Sequence, residues 1–192
     1  KPLVRDQTWV KQILVDKRAS LNEKTEQWFT LNRGTSHPEV FSKCKIVCPQ
    51  RSKTNTFGYN ECEWYAASDV FFLTNPKEGY DLKYLLGLLN SKLYFMWLYS
   101  KGKRKGETLE LTATPLSEIP IKKCGDREMA SIVLLVDSII SAKKQGKDTS
   151  ALENQIDFLV YHLYGLTYDE VLIVDPETPI SRDEYESYNI EQ

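Results

Sequence analysis

The chain has 192 residues, of which 41% are hydrophobic and 27% are charged, and its formal net charge is −2. This composition supplies enough apolar material for a core in one or two compact domains, and it excludes disorder along the whole length. The apolar runs, such as IVLLV at 132–136, are far too short to cross a bilayer, and the opening KPLVRDQTWV lacks the apolar block of a secretion signal. We therefore expect an intracellular protein with no membrane partner. The opening Lys1 and Pro2 suggest a segment of a longer polypeptide.

The net charge conceals two regions of opposite sign that meet near Leu152. Residues 1–152 carry 24 Lys and Arg against 17 Asp and Glu, a balance of +7, and the rest carry 1 against 10, a balance of −9. Binding of nucleic acid depends on the local electrostatic potential of the protein surface. A chain whose first 152 residues are basic can therefore attract phosphate groups even though its last part is acidic. An unevenly charged solvated surface would give the same pattern, and charge alone does not separate the two interpretations.

The four cysteines and two histidines do not form a metal-binding pattern. There is no CxxC pair, and neither histidine lies at zinc-finger spacing from a cysteine. If the stretch around Ile46 is a strand, Cys44, Ile46 and Cys48 share one face, which favours small buried thiols in a reducing compartment. No metal ligand is therefore assigned.

The first half of the chain predicts helices, then two strands separated by a loop. Apolar residues scattered among Lys and Glu indicate one or two helices from Thr8 to about Leu31. KCKIVCP (43–49) predicts a strand that ends at Pro49, and the aromatic run from Trp64 to Leu73 predicts another.

The loop between these strands carries side chains suited to nucleic acid. Arginine and lysine supply forked and point-charge donors, asparagine supplies an amide, and the aromatic rings supply flat faces. These side chains together could contact the phosphates and base edges of a nucleic acid and could stack on its bases. A role for Phe57 and Tyr59 as core anchors stays open, because aromatic residues near strands usually pack. The candidate residues in this loop are Arg51, Ser52, Lys53, Asn55, Phe57 and Tyr59.

The central part predicts an amphipathic helix, a basic loop and a short strand. Apolar residues recur at three-and-four spacing after Asp81 as far as Trp97, and Asp81 is placed to cap the helix. A cluster of cations follows, bounded by two glycines, and then 109–113 alternates as in a half-buried strand. The segment 115–121 is expected to be extended between its prolines. The candidate cations of the loop are Lys101, Lys103, Arg104 and Lys105.

The last third predicts helices and an acidic end. Two amphipathic helices with a short link indicate an antiparallel pair, and a third, short helix follows. The expected start and stop signals are Asp126 as a cap, Ser150 with Glu153 as a capping box, Gly165 as a stop, and Thr167 with Glu170 as a second capping box. The acidic stretch 175–192 is interpreted as a solvated run.

Motifs of common enzyme sites are absent from the sequence. It contains no GxGxxG or GxxxxGK[ST] loop, no HExxH and no GxSxG elbow. The chain has 27 Asp and Glu, but no pair of them is distinguished as an acid and a base. No catalytic or cofactor-binding residue is therefore assigned.

Four stretches in order resemble the C-terminal target-recognition region of type IIG restriction-modification enzymes. These are the TaqI-like and Eco57I-like specificity domains that follow an N6-adenine methyltransferase domain in one polypeptide. The stretches, spanning roughly Phe41 to Val174, are KCKIVCPQRSKTNTFGYN, WYAASDVFFLT, YLLGLLNSKLYFMWLYSKGKRKGETLELTATPLSEIPI and ENQIDFLVYHLYGLTYDEV. The helix containing LLNSKL is also similar to the specificity subunits of type I restriction systems.

The resemblance implies that this chain chooses the DNA sequence while upstream domains bind the cofactor, transfer the methyl group and cleave. It implies double-stranded DNA and those domains as partners, S-adenosylmethionine and Mg²⁺ as cofactors of the parent only, and a prokaryotic cytoplasm. The two basic loops are then the expected DNA contacts. The cations would mainly contact phosphates, and Asn55 or one of the arginines would read a base edge.

The expected fold is α+β, with a mixed β-sheet and packed helices followed by the antiparallel helix pair. The predicted divisions are a helical lead-in at 1–40, a DNA-recognition domain at 41–123, a helical part at 124–174 and the acidic tail at 175–192. Two alternatives stay open: a protein-interaction domain that docks through the helix pair, and an independent enzyme. The latter would bind S-adenosylmethionine or cut DNA by itself.

Overall fold

The computed structural model describes residues 38–66 and 69–188. The chain divides into two compact units, Lys1–Glu39 and Val40–Gln192, and the description below concerns the second. The helices predicted before Leu31 lie outside the described residues.

Strands dominate the first part of this unit and helices the second. After a 3₁₀ turn at Pro38–Phe41, the strands are β1 (Lys45–Pro49), β2 (Arg51–Ser52), β3 (Gly58–Asn60), β4 (Val70–Leu73), β5 (Lys103–Lys105) and β6 (Thr108–Glu110). The helices are α1 (Leu82–Asn90), α2 (Lys92–Lys101), α3 (Ala113–Ser117), α4 (Asp126–Lys144), α5 (Ser150–Tyr164), α6 (Tyr168–Val174) and α7 (Arg182–Ser187). The predicted α+β class is confirmed.

The described strands form two small antiparallel sheets instead of one mixed sheet. The strand orders are β3-β1-β4 and β2-β6-β5. Gln50 links the sheets, since its N–H donates to Asp69 O at 2.8 Å beside β4 and its carbonyl accepts from Leu111 N at 2.7 Å beside β6. One continuous run of chain thus leaves the first sheet and enters the second, which brings β2 against β6.

The predicted central helix is wrong in one respect, because it is two helices separated at Ser91. Ser91 has an extended backbone (φ −69°, ψ 157°), and its hydroxyl accepts from Tyr94 N and donates to Leu88 O at 2.7 Å. Serine is favoured at the N-cap of a helix, since its hydroxyl accepts from a backbone N–H that would otherwise bond a carbonyl of the preceding turn in a continuous helix. Asp81 caps α1 as predicted, accepting from the N–H groups of Lys83 and Tyr84.

The larger of two hydrophobic clusters in the described residues joins the sheets to the helices. It contains buried residues from β1, α1, α2, β6, α4 and α5, among them Ile46, Leu88, Leu98, Leu109 and Val160. Helices α1 and α4 approach closely at Gly87, where an added Cβ would lie 2.7 Å from Ile132 Cγ2. The absence of a side chain at Gly87 therefore sets the distance between these two helices.

Helices α4 and α5 form the predicted antiparallel pair. Arg127 and Ser131, in the first turns of α4, share a groove with Leu163 at the end of α5, and Lys143 at the end of α4 bonds Glu153 at 2.8 Å. Helix α5 ends at Gly165 (φ 68°), as expected for a left-handed C-cap.

Two of the predicted N-caps in this part differ. Gly125, not Asp126, is the N-cap of α4, with Glu128 accepting from its N–H at 2.7 Å. Ser150 bonds Asp148 instead of forming a capping box, and Thr149 takes the N-cap position. The Thr167 and Glu170 capping box forms as predicted.

Three stretches expected to be extended are shorter than predicted. Cys44 precedes β1 and is exposed, so it does not share the buried face of Cys48. Among the described residues of the stretch Trp64–Leu73, 64–66 and 69–73, the expected strand covers only β4. Helix α3 replaces the beginning of the segment 115–121 and the end of the strand expected at 109–113; it tolerates Pro115 because the first turn of a helix needs no N–H there.

The described part of the acidic stretch packs onto the helices and is not simply a solvated run. Ile180 and Tyr185 are buried against Tyr161 and Val171. Asp175 is 7% exposed and accepts from Lys92 Nζ at 2.6 Å. In the described ranges, no helix combines the length and apolar character needed to span a bilayer.

Candidate nucleic-acid interface

The second sheet brings the two predicted basic loops together. β2 and β5 both pair with β6, so Arg51 and Ser52 lie in the same three-stranded sheet as Lys103, Arg104 and Lys105. We call this sheet, together with its cations, the basic sheet. Neither segment is simply a loop, because Gln50 directs β2 to one edge of β6 and a tight turn at Gly106 (φ +64°) folds β5 back along the other.

The pairing register decides which side chains are neighbours. Arg51 and Lys103 both lie opposite Glu110, one on each side. Directly opposed residues project from the same face, so these three side chains form one row. Ser52 and Arg104 lie opposite Leu109, which is 1% exposed and faces the core. The face carrying Arg51, Glu110 and Lys103 is therefore the outer one.

Glu110 holds Arg51 by two hydrogen bonds to a single oxygen. Arg51 Nε and Nη2 donate to Glu110 Oε1 at 2.9 and 2.7 Å. The Arg51 side chain remains 57% exposed and that of Glu110 26%. An ion pair this exposed adds only about 0–1 kcal/mol to stability, so its main effect is to orient the guanidinium.

Arg104 is held differently, against an aromatic ring. Its guanidinium carbon lies 4.0 Å from the centroid of Tyr99, which is on α2 and 41% exposed. Such a stack stabilises by about 0.5–1 kcal/mol at exposed sites and restricts the side chain. Gly102, between α2 and β5, permits the tight connection, because an added Cβ would lie 2.6 Å from Leu98 O.

The remaining predicted cations flank the basic sheet. Lys53 follows β2, Lys101 ends α2, and both are exposed, as is Lys103. The Ser52 hydroxyl donates to Thr54 O and so shapes the turn after β2. Exposed lysines at the border of a sheet are suited to bind phosphates as point charges.

The structure separates Asn55, Phe57 and Tyr59 from the basic sheet. Asn55 Nδ2 donates to Leu89 O and Ser91 O at 2.8 and 2.9 Å. Phe57 is 6% exposed and packs in the core, which is the structural role considered for it above. These positions give no support to base contacts by Asn55 or stacking by Phe57.

Tyr59 lies in the first sheet, opposite Ile46. Lys83 Nζ is 5.5 Å from the centroid of its ring. Burial raises the pKa of the Tyr59 phenol, and neighbouring Cys44 raises it further, so the hydroxyl is protonated at neutral pH.

Three residues with evident roles were missed from the sequence. Glu110 and Tyr99 orient the two arginines, but their partners become neighbours only through strand register and helix position. Lys45 was counted among the cations, yet it is 0% exposed. Its Nζ donates to the carbonyls of Phe41, Lys43 and Cys62 at 3.0, 2.9 and 2.8 Å.

Curated relatives resemble a large part of the chain. Type II methyltransferase M.MjaIV from Methanocaldococcus jannaschii is 30% identical over 141 residues, covering 72% of this chain and 47% of that protein. Type II methyltransferases M.HindII and M.HincII from Haemophilus influenzae are each 30% identical over 115 residues, covering 56% of this chain and 22% of their own length. The chain thus spans about half the length of the first relative and about a fifth of the other two.

A family profile matches the chain over residues 8–121, which begins and ends earlier than the stretch in which we noted the resemblance. The match covers most of the described β-structure, including the whole basic sheet, together with α1, α2 and α3. It extends over more than half of the sequence. The chain therefore belongs to the family of TaqI-like C-terminal specificity domains.

Proposed function

We propose that this chain recognises the DNA sequence at which a methyltransferase domain of the same polypeptide acts. The observation that carries the proposal is the basic sheet, in which β2 and β5 pair with the two edges of β6 although some fifty residues of sequence separate them. This pairing places Arg51 and Lys103 on one face of the sheet and Arg104 on the other. The family to which the chain belongs and the names of its relatives support the same role.

The arrangement suits duplex DNA for a physical reason. Arg51 and Arg104 are oriented by Glu110 and Tyr99, whereas Lys53, Lys101 and Lys103 are exposed and carry point charges. Phosphate contacts position a protein on the duplex, and oriented side chains can then read base edges. A small β-sheet edge or ribbon is also one of the shapes that fit the major groove.

We further propose that the parent is a type IIG restriction-modification enzyme of the prokaryotic cytoplasm. In that arrangement, S-adenosylmethionine and Mg²⁺ serve the upstream methyltransferase and endonuclease domains, and this chain contributes no catalytic group. The resemblance noted in the sequence supports this finer assignment. An assay of the parent for both methylation and cleavage of the same DNA tests it, and methylation without cleavage would restrict the parent to modification.

Salt dependence of DNA binding tests the main proposal. Each neutralised phosphate releases counterions, so the logarithm of the binding constant should fall linearly with the logarithm of salt concentration, with a slope of about −0.9 per contact. With four to six participating cations we expect a loss of roughly two to three orders of magnitude in the binding constant between 50 and 200 mM salt. Binding to a short duplex is measured by fluorescence anisotropy. A domain that docks a protein partner through its helix pair would show no DNA binding with this slope.

A further inference from the structure

The hydrogen bonds of Arg51 divide its guanidinium into an occupied edge and a free one. A guanidinium carries five N–H donors, one on Nε and two on each Nη. Glu110 Oε1 accepts from Nε and from Nη2. Within the described ranges 38–66 and 69–188, Nη1 donates to no acceptor, and the side chain is 57% exposed. One N–H of Nη1 and one of Nη2 therefore form a fork that points away from Glu110.

The neighbouring charge makes this fork better suited to a base than to a phosphate. The Glu110 carboxylate lies within 2.9 Å of the guanidinium and offsets its positive charge. A phosphate approaching the fork would also be repelled by that carboxylate. Two neutral acceptors in one plane would not, and guanine presents such a pair, O6 and N7, in the major groove.

We propose that Arg51 reads a guanine in the DNA target and that Glu110 is the residue that positions it. This inference rests on the proposed function and assigns its specificity to one side chain. Lys103, on the other side of Glu110, contacts the backbone phosphates and contributes affinity without base preference. Orientation by Glu110 lowers the entropy lost when both N–H groups bond the base.

The test uses the full 192-residue chain and a pool of duplex DNA with a randomised centre. Sequences bound by the unaltered chain are sequenced, and the same pool is then applied to each variant. We expect a guanine at a defined position in the wild-type motif. R51A should lower the preference for that guanine about tenfold or more and leave the other positions unchanged. R51K, which keeps the charge but lacks the fork, should lose the same preference.

Variants of Glu110 and Lys103 distinguish the positioning of Arg51 from the general electrostatic attraction of DNA. E110Q keeps an acceptor oxygen and should retain the guanine preference with higher overall affinity, because a negative charge is removed near DNA. E110A should lose part of the preference at that position only. K103A should weaken binding to all sequences by a similar factor.

The outcomes distinguish this inference from the proposed function. If R51A and R51K weaken binding equally at every position, Arg51 is a phosphate contact and the inference fails, while DNA recognition stands. Loss of preference in R51A but full preference in E110A would remove the positioning role of Glu110. If the wild-type chain binds no DNA, or binds without any preferred sequence, the proposed function itself fails. Circular dichroism establishes that each variant is folded.

Discussion

The side chains of Asn55 and Asn90 form reciprocal hydrogen bonds at the junction between α1 and α2: each side chain bonds backbone groups that lie next to or near the other residue. Asn55 Nδ2 donates to Leu89 O and Ser91 O, on either side of Asn90. In return, Asn90 Oδ1 accepts from Phe57 N and its Nδ2 donates to Phe57 O, each at 3.0 Å. The pair fixes the segment after β2 to the point where the helix direction changes.

The first prediction follows from this pair. Replacing Asn55 by Ala leaves two carbonyl groups without their donor and should lower the free energy of unfolding by about 1–3 kcal/mol. Denaturant unfolding measures the change. Thr56→Ala, at an exposed neighbouring position, is the control and should change stability by less than about 0.5 kcal/mol. Unchanged stability together with lost base preference in N55A would contradict the structural role and would support the prediction that Asn55 reads a base edge.

The second prediction concerns the contact between α1 and α4. Gly87→Ala adds a Cβ 2.7 Å from Ile132 Cγ2 and 3.2 Å from Val136 Cγ2. This overpacking should lower the free energy of unfolding by about 1–3 kcal/mol, even though alanine favours a helix by about 1 kcal/mol relative to glycine.

A double substitution provides the control for this contact. Ile132→Ala removes the atom that clashes, so the cost of G87A together with I132A should be less than the sum of the two single costs. Additive costs in thermal or denaturant unfolding would mean that the clash is relieved elsewhere.

The third prediction concerns the cations of β5. Replacing Lys103, Arg104 and Lys105 together by Ala should weaken duplex binding by a similar factor on all sequences and make its salt slope shallower by up to about 3 units. A matched control removes the same charge at exposed positions outside the basic sheet, namely Lys77, Lys123 and Lys147. If both triple variants lose the same affinity, net charge and not the basic sheet governs binding.

The fourth prediction concerns Asp157, which is 5% exposed. It accepts from Lys92 N at 2.8 Å at the start of α2. Burial raises its pKa to about 6, although the Lys92 N–H and charge act in the opposite direction. Because the folded pKa lies above the unfolded value of 3.8, the folded chain binds more protons between about pH 4 and 6. The contribution of Asp157 to stability should therefore fall as pH rises through this interval.

Asp157→Asn isolates that contribution, since the amide oxygen can still accept from Lys92 N. As pH rises from 4 to 7, the unfolding free energy of the wild type should fall relative to that of D157N. Denaturant unfolding at several pH values measures it, and subtraction cancels the other titrating groups. Parallel curves for the two proteins would contradict a raised pKa at this site.

The fifth prediction concerns Lys45, whose three ammonium hydrogens all meet carbonyl oxygens in the interior. Lys45→Met keeps an unbranched side chain of similar bulk but lacks the ammonium group and leaves three carbonyl acceptors without donors. We therefore expect the free energy of unfolding to fall by about 3 kcal/mol or more. The exposed neighbour Lys43, changed to Met, should have little effect. A small effect of K45M would indicate that water replaces the ammonium group.

The success of the sequence analysis depended on how local each feature is. Asp81 as a cap, Gly165 as a stop and the Thr167 and Glu170 capping box are decided within a few residues, and each is found as predicted. The break at Ser91 was missed because the apolar period continues through it. The Ser150 cap was displaced by Asp148, which competes for the same hydroxyl.

The candidate site was predicted as two lists of cations, without their arrangement. Both segments were recognised from their composition, and the structure places five of the ten candidate residues in one sheet. Asn55 and Phe57 were included because they lie in a basic stretch. The composition of that stretch does not show whether a polar or aromatic side chain faces solvent or the core. Burial distinguishes the two cases for Phe57, and hydrogen bonds to the junction of α1 and α2 do so for Asn55. Both features depend on helices that follow later in the chain.

The amino-acid sequence by itself determined the α+β class, the antiparallel helix pair, several of the helix ends and the two basic segments, because periodicity and capping act between near neighbours. Tertiary structure decided that these segments become the two outer strands of one sheet, that Glu110 rather than solvent meets Arg51, and that Lys45 is buried. Arg51 and Glu110 are 59 residues apart, and their contact depends on strand register and on the turn of the chain at Gln50. Such pairings are set by the packing of the whole domain, which no local pattern encodes.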